Sequence, residues 1–243
     1  MDIPVNQKLR KKVDDMVKAL LWSLLPPHCL LCDQPGMGGM DLCQACWLSL
    51  PGNLLACQRC ALPLAVAAQA CADCIKAEPP FLRSVAPMQY QVPLTTLVPR
   101  LKFHQDLAAG RLLAELFCRH TTACDTPDVL VPVPLHSARL RKRGFDQALE
   151  LAKMIARHKA IPLRTDLLFR TRNTAAQSYL DASHRHNNLK NAFVVKGRSI
   201  PAHIALIDDV MTTGTTVREC TKVLLKAGVK RVDIWVIARV ATP

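Results

Sequence analysis

Long apolar runs are missing from these 243 residues. No stretch approaches 18 uninterrupted apolar residues, so a membrane-spanning helix is not expected. Aromatic residues make up only 5%, which argues against a single-strand binder built on rows of stacked rings. A secretory leader is not expected either. Lys8, Arg10, Lys11 and Lys12 imitate a basic start, but Asp14, Asp15 and Lys18 follow, and the apolar run at 19–25 is short and precedes no small-residue cleavage pattern. The expected compartment is therefore the cytoplasm, where thiols stay reduced and cysteine pairs read as metal ligands. With half its residues hydrophobic and 21% charged, the chain is expected to fold, as one large domain or a medium domain with a small one.

Val13, Met16, Val17, Leu20, Leu21 and Leu24 recur at helical spacing until Pro26-Pro27. They predict an amphipathic helix over residues 1–27, packed on its own protein, with contact to a membrane surface as the alternative. Charge is uneven beyond it. Residues 1–80 hold seven basic and seven acidic side chains; residues 81–243 hold 25 and 12, so the whole surplus of +13 lies in the larger part. That part should meet an anion.

Eight of the eleven cysteines form four CxxC pairs: Cys29/Cys32, Cys43/Cys46, Cys57/Cys60 and Cys71/Cys74. Each cysteine of the second four lies 28 residues after its counterpart, which is an internal repeat. Two residues between thiolates let one tight turn aim both sulfurs at a point, and two such turns complete a tetrahedron. The segment is rich in Gly and Pro and poor in apolar mass, so it needs a staple, and a structural zinc supplies about 10–16 kcal/mol of apparent binding energy. Disulfides and iron–sulfur ligation are the alternatives. Two zinc ions with all-cysteine ligands leave no open position for a catalytic water, and they would shift residues 1–80 to about −4 and the chain to about +9. Sequential pairing into two ribbons follows the repeat; interleaved pairing stays open. Cys118, Cys124 and Cys220 read as inert thiols.

The sharpest site runs from Ile204 to Thr216. A buried apolar strand leads into Asp208 and Asp209. Thr212, Thr213, Gly214, Thr215 and Thr216 then turn into a helix that Gly228 closes, and another strand follows over 232–240. Free amides at a helix N-terminus, with threonine hydroxyls, suit a phosphate. The two carboxylates, placed at a loop mouth, would face sugar hydroxyls or a hydrated Mg²⁺ instead. Walker and GxGxxG patterns are both absent.

Basic loops accompany it. A strand ending at Pro132-Val-Pro134 leads into Arg139, Arg141, Lys142 and Arg143, suited to a pyrophosphate. A second stretch carries Arg170, Arg172, His184, Arg185 and His186 and reads as a mobile loop. Pro87, Pro93 and Pro99 predict irregular extended structure over the segment around Tyr90 and Lys102.

Asp208-Asp209-Val-Met-Thr-Thr-Gly-Thr-Thr resembles the 5-phosphoribosyl 1-pyrophosphate (PRPP) loop of type I phosphoribosyltransferases. The resemblance implies that Asp208 and Asp209 hold the ribose and that residues 212–216 wrap the 5-phosphate. Thr212 stands where purine-salvage members usually carry a catalytic aspartate, a departure that speaks against proton abstraction from a purine. The CxxC ribbons, Leu101-Lys102-Phe103, Pro132-Val-Pro-Leu, Arg143-Gly-Phe-Asp-Gln, Arg170-x-Arg-x-Thr-x-x-Gln177, Arg185-x-x-Asn188 and the PRPP loop occur in this order. The set is similar to the ComF competence family and its enterobacterial DNA-utilisation branch, the GntX proteins. Asp146 departs from the asparagine expected there.

The resemblance implies a type I phosphoribosyltransferase-like α/β domain with a mainly parallel sheet over 81–243, a double zinc ribbon over 28–80 and the N-terminal helix over 1–27. It implies a factor for uptake and use of external DNA that binds PRPP with Mg²⁺ and single-stranded DNA, and that meets DNA-import proteins at the inner membrane. An active phosphoribosyltransferase of unknown acceptor and a zinc-ribbon adaptor are the alternatives. Lys102, Arg139, Arg141, Lys142, Arg143, Arg170, Arg172 and Arg185 are the candidate cations for pyrophosphate or DNA.

Overall fold

The computed structural model describes residues 26–66, 68–121, 125–172, 191–197 and 199–241, apart from the side chain of Lys142. The expected amphipathic helix falls before residue 26 and, like Cys124, His184, Arg185 and His186, lies outside the described residues. Two compact units result, 1–50 and 51–243. The boundary falls between the two halves of the cysteine repeat, so the second ribbon belongs to the larger unit.

The sequence repeat is a structural repeat. In the smaller unit the Cys29 carbonyl accepts from the Asp33 N–H at 2.9 Å, and Cys29 N–H donates to the Gln34 carbonyl at 2.8 Å. In the larger unit the Cys57 carbonyl accepts from Ala61 at 2.8 Å, and Cys57 N–H donates to Leu62 at 2.9 Å, every partner displaced by 28. Asp33 and Ala61 both take positive φ, 62° and 56°, which closes each knuckle. The second CxxC of each set opens a short helix, α1 (Gln44–Leu48) after Cys43 and α2 (Ala72–Lys76) after Cys71.

The rest of the larger unit is an α/β domain with a mainly parallel sheet. One edge is an interrupted strand, β1 (Arg83–Val85) and β2 (Met88–Gln89), broken at Ala86-Pro87, with proline offering no N–H to a ladder. Two helices follow, α3 (Leu94–His104) and α4 (Leu107–His120), then β3 (Val129–Pro132), α5 (Ser137–Arg143) and α6 (Gln147–Lys159). A small antiparallel pair, β4 (Leu168–Arg170) with β5 (Phe193–Val195), stands apart from the main sheet. β6 (His203–Met211), α7 (Thr215–Lys226) and β7 (Arg231–Arg239) complete the domain. β1 and β2 pair with β7, β7 with β6, and β6 with β3, all parallel.

Alternation along β6 and β7 sorts the core. Ile204, Leu206, Ile234 and Val236 join Val217, Cys220 and Leu224 of α7 on one face. On the other, Trp235 meets Phe117 of α4 with ring centroids 5.5 Å apart. Cys118 and Cys220 are buried in this core, as their inert reading expects.

One expectation fails. The segment after Pro87 is not irregular: α3 and α4 are regular, and Pro99 sits inside α3. Leu94, Leu97, Val98 and Leu101 form an i, i+3, i+4, i+7 stripe and are all buried. Burial of that stripe outweighs the one backbone hydrogen bond that proline removes.

Candidate functional site

The eight paired cysteines form two sets, Cys29/Cys32/Cys43/Cys46 and Cys57/Cys60/Cys71/Cys74, each with its sulfurs within 4.8 Å of one another. The pairing is sequential. Sγ–Sγ separations of 3.6 Å recur at Cys32–Cys43, Cys32–Cys46 and Cys60–Cys71. A tetrahedron on bonds of about 2.3 Å has edges of about 3.8 Å, so both sets fit zinc with small adjustment. The second set is buried throughout. Burial alone would raise the Cys57 thiol, but N–H groups of Cys60 and Cys71, 3.5 and 3.2 Å from its sulfur, help draw it down to about 7. These are structural sites: all four ligands are supplied by protein, and no position stays open.

Chemistry of another kind gathers where β3 leaves the sheet. β3 pairs with β6 only as far as Pro132, opposite Ile207, while β6 runs on to Met211. The ends of β3 and β6 with α3, α5 and β4 enclose a cleft of about 500 Å³. Asp208, Asp209, Thr212 and Thr216 line one part; Lys102, Arg139, Arg143 and Arg170 bring cations; Tyr90 and Phe103 bring rings.

The carboxylates do not sit in a loop mouth, as the sequence suggests. Both belong to β6, and Asp209 is 3% exposed. Lys102 Nζ donates to Asp209 Oδ2 at 2.9 Å, and the Val210 N–H to Asp209 Oδ1 at 2.9 Å. Burial opposes both charges, yet their attraction prevails, holding Lys102 above and Asp209 below their ordinary values. Asp208 differs. It is half-buried, and burial together with the Asp209 charge pushes its carboxyl well above the usual range. Among the described residues, the Asp209 N–H is its one hydrogen-bond donor, at 2.9 Å.

The cations are crowded as well. Burial, then the neighbouring Arg143, holds the Arg139 guanidinium below its ordinary value; burial, then Arg139, does the same to Arg170. A multiply charged anion between them would relieve that repulsion. Arg143 lies over the Phe103 ring, 5.4 Å from its centroid, and donates to Gln147 Oε1 at 3.0 Å. Arg141 and Arg172 are exposed and do not line the cleft. Asp146 caps α6, accepting from the Leu149 N–H at 3.1 Å, and is a helix cap rather than a cleft residue.

Gly214 has φ +74° and starts α7, a conformation that favours glycine. Thr213 and Thr215 share a hydroxyl contact of 2.9 Å. Sequence reading missed what holds this turn. Arg239, the last residue of β7 and 6% exposed, donates through Nη1 to the Met211 carbonyl at 3.2 Å, to Val240 at 2.6 Å and to Thr212, and through Nε to the Cys60 carbonyl at 3.1 Å. The available signal was one arginine ending the mostly apolar run 232–238.

Two outcomes are expected. Purified protein carries two zinc ions per chain by elemental mass spectrometry, and Cys71→Ser with Cys74→Ser lowers that to one. Asp208→Asn stabilises the protein without ligand at neutral pH by roughly 0.5–2 kcal/mol in urea unfolding, because an ionised Asp208 strains the folded state. Its folded carboxyl titrates above the unfolded one, so this advantage shrinks as pH falls through the raised value toward 3.8, where aspartate too is protonated.

Residues 20–75 match the double zinc ribbon domain family. The chain is 34% identical over 222 residues to DNA utilization protein YhgH of Escherichia coli O157:H7, covering 88% of this chain and 98% of that one. It is 36% identical over 181 residues to competence protein F of Haemophilus influenzae, covering 71% and 79%. Among solved structures it is similar to a glutamine PRPP amidotransferase from B. subtilis, at 18% identity over 52% of this chain and 25% of that one, with a TM-score of 0.37. No described helix is long and apolar enough to cross a membrane. With so long an alignment to YhgH, the chain belongs to the family of the bacterial DNA utilization and competence F proteins.

Proposed function

We propose that the cleft binds PRPP with Mg²⁺, and that the protein couples this binding to the handling of single-stranded DNA. The observation that carries the reading is the pairing within one cleft of about 500 Å³ of a strained carboxylate with four cations and a threonine turn at a helix N-terminus. Each part suits one part of the ligand. Asp208 accepts from ribose hydroxyls. The amides and hydroxyls of residues 212–216 take the 5-phosphate. Arg139, Arg143, Arg170 and Lys102 face the diphosphate.

The donor set fits Mg²⁺, which keeps several waters and needs only one or two carboxylates beside ligand phosphates. Asp208 would hold it through water, and the ion would neutralise diphosphate charge. Asp209 keeps Lys102 as its partner until a diphosphate competes for the ammonium group.

DNA enters through the relatives' names and through charge. Arg141 and Arg172, exposed outside the cleft, offer contacts to a phosphate backbone. A second reading, phosphoribosyl transfer, is favoured by Tyr90 and Phe103, which give an acceptor ring two apolar walls within the cleft. There the bond from the anomeric carbon to diphosphate oxygen breaks, diphosphate leaves with the electron pair, and an acceptor nitrogen bonds the carbon and gives up a proton.

Calorimetry with PRPP–Mg²⁺, AMP and single-stranded DNA, separately and together, tests the proposal. PRPP–Mg²⁺ binds the wild type, and Asp208→Asn weakens it by at least about tenfold, one lost charge-assisted hydrogen bond. Unchanged affinity in that variant refutes the site. DNA affinity falls with salt at a log–log slope of about −0.7 per phosphate contacted, and a flat response refutes direct electrostatic contact. Pyrophosphate released from PRPP only when an acceptor is supplied would establish the second reading.

A further inference from the structure

Arg239 occupies a place that neither the cleft nor the ribbon accounts for alone. Its guanidinium is buried and, among the described residues, bonded to carbonyls alone: Cys60 on one side, Met211, Thr212 and Val240 on the other. Among the described residues no carboxylate lies within ion-pair distance of it. The negative charge that can compensate it is that of the thiolates around Cys60, since a four-thiolate zinc site carries a formal −2. A planar guanidinium has little internal freedom, so its donors move as one body. A shift of Cys60 is therefore a shift of the carbonyls at the start of the threonine turn.

A second contact surface points the same way. A small cavity of about 50 Å³ has walls from both elements, with Cys60, Cys74 and Phe81 facing Thr213, Gly214 and Arg218. Arg218 lies over the Phe81 ring, 5.7 Å from its centroid. The counterpart of Cys60 in the first ribbon, Cys32, is exposed.

We infer that Arg239 is a positioning residue that ties the threonine turn to the second four-cysteine site, so that metal held at Cys57/Cys60/Cys71/Cys74 and a sugar phosphate held by the turn stabilise each other. The inference rests on reading residues 212–216 as a phosphate site. Linkage requires the effect to be reciprocal: a ligand on the turn raises the metal affinity of the second site by the same factor as metal there strengthens the ligand. The first site, within residues 1–50, takes no part.

Pulsed alkylation with N-ethylmaleimide tests this on the zinc-loaded full chain, read cysteine by cysteine by mass spectrometry. Ribose 5-phosphate is the probe, with its binding measured in parallel by calorimetry. In the wild type it slows alkylation of Cys57, Cys60, Cys71 and Cys74 by about fivefold or more and leaves Cys29, Cys32, Cys43 and Cys46 unchanged. Arg239→Lys keeps a charge but loses the fork; it still holds two zinc ions, and the slowing disappears. A separate arm needs no ligand: amide hydrogen exchange across residues 212–216 quickens about fivefold in Arg239→Lys. Equal slowing at both cysteine sets, slowing that survives in Arg239→Lys, or unchanged exchange in that variant overturns the tie. Failure of ribose 5-phosphate to bind the wild type overturns the phosphate-site reading instead, and the exchange arm then decides the tie alone. Should Arg239→Lys not fold, the wild-type alkylation pattern decides it.

Discussion

The cleft exists because two neighbouring strands have different lengths. β3 stops pairing at Pro132, and Pro134 follows two residues later, so the chain turns away. β6 continues through Asp208, Asp209, Val210 and Met211 with, among the described residues, β7 as its one strand neighbour. A strand end with one bare edge must satisfy its amides by other means. On that edge the Asp209 amide donates to the Asp208 carboxylate, while Val210, paired with Ala238 of β7, donates its amide to the Asp209 carboxylate. The acid pair thus also serves the backbone of the strand it occupies.

Placing two carboxylates side by side in a half-buried strand end is costly unless charge is balanced. The structure balances one and leaves the other. Lys102, carried in by α3, takes Asp209 and brings it below its usual range. Among the described residues no cation lies within ion-pair distance of Asp208, and burial and its neighbour push it upward. On the facing side Arg139 and Arg170 are disfavoured by burial and by other arginines. The cleft therefore holds one balanced pair, Lys102 with Asp209, beside a carboxyl and two guanidiniums whose charged forms burial and like-charged neighbours disfavour. On the proposed reading, a ligand with hydroxyls at one end and phosphates at the other would remove both penalties together.

Much of this was legible in residue order. The strand–turn–helix around Gly214 follows from an apolar run, a glycine that takes positive φ and helical spacing after it. The two cysteine sets follow from the 28-residue offset, which reappears hydrogen bond by hydrogen bond. The helix around Lys102 was not legible, because Pro99 argues locally against it while the buried stripe that wins is a tertiary effect. Nor was the burial of Asp209, since nothing in its neighbours announces that β3 is shorter than β6. Arg239 was hidden for the same reason: its partners Cys60 and Met211 are distant in sequence and meet only when β7 aligns with β6.

The two ribbons show how equal sequence patterns acquire unequal roles. Their knuckles share the same hydrogen bonds and the same positive φ after the first CxxC. The second belongs to the same compact unit as the sheet. Asn53 N–H donates to the Pro87 carbonyl at 2.8 Å, and its side-chain amide reaches the carbonyls of Ala61 and Ala86 at 2.9 and 3.1 Å. The second ribbon is thereby fixed to the β1/β2 edge, and Arg239 fixes it to the far end of β6 and β7. A metal site anchored at both places cannot open without disturbing the strand ends between them. Zinc binding energy, which in an isolated ribbon stabilises that ribbon alone, here also sets the geometry of the threonine turn.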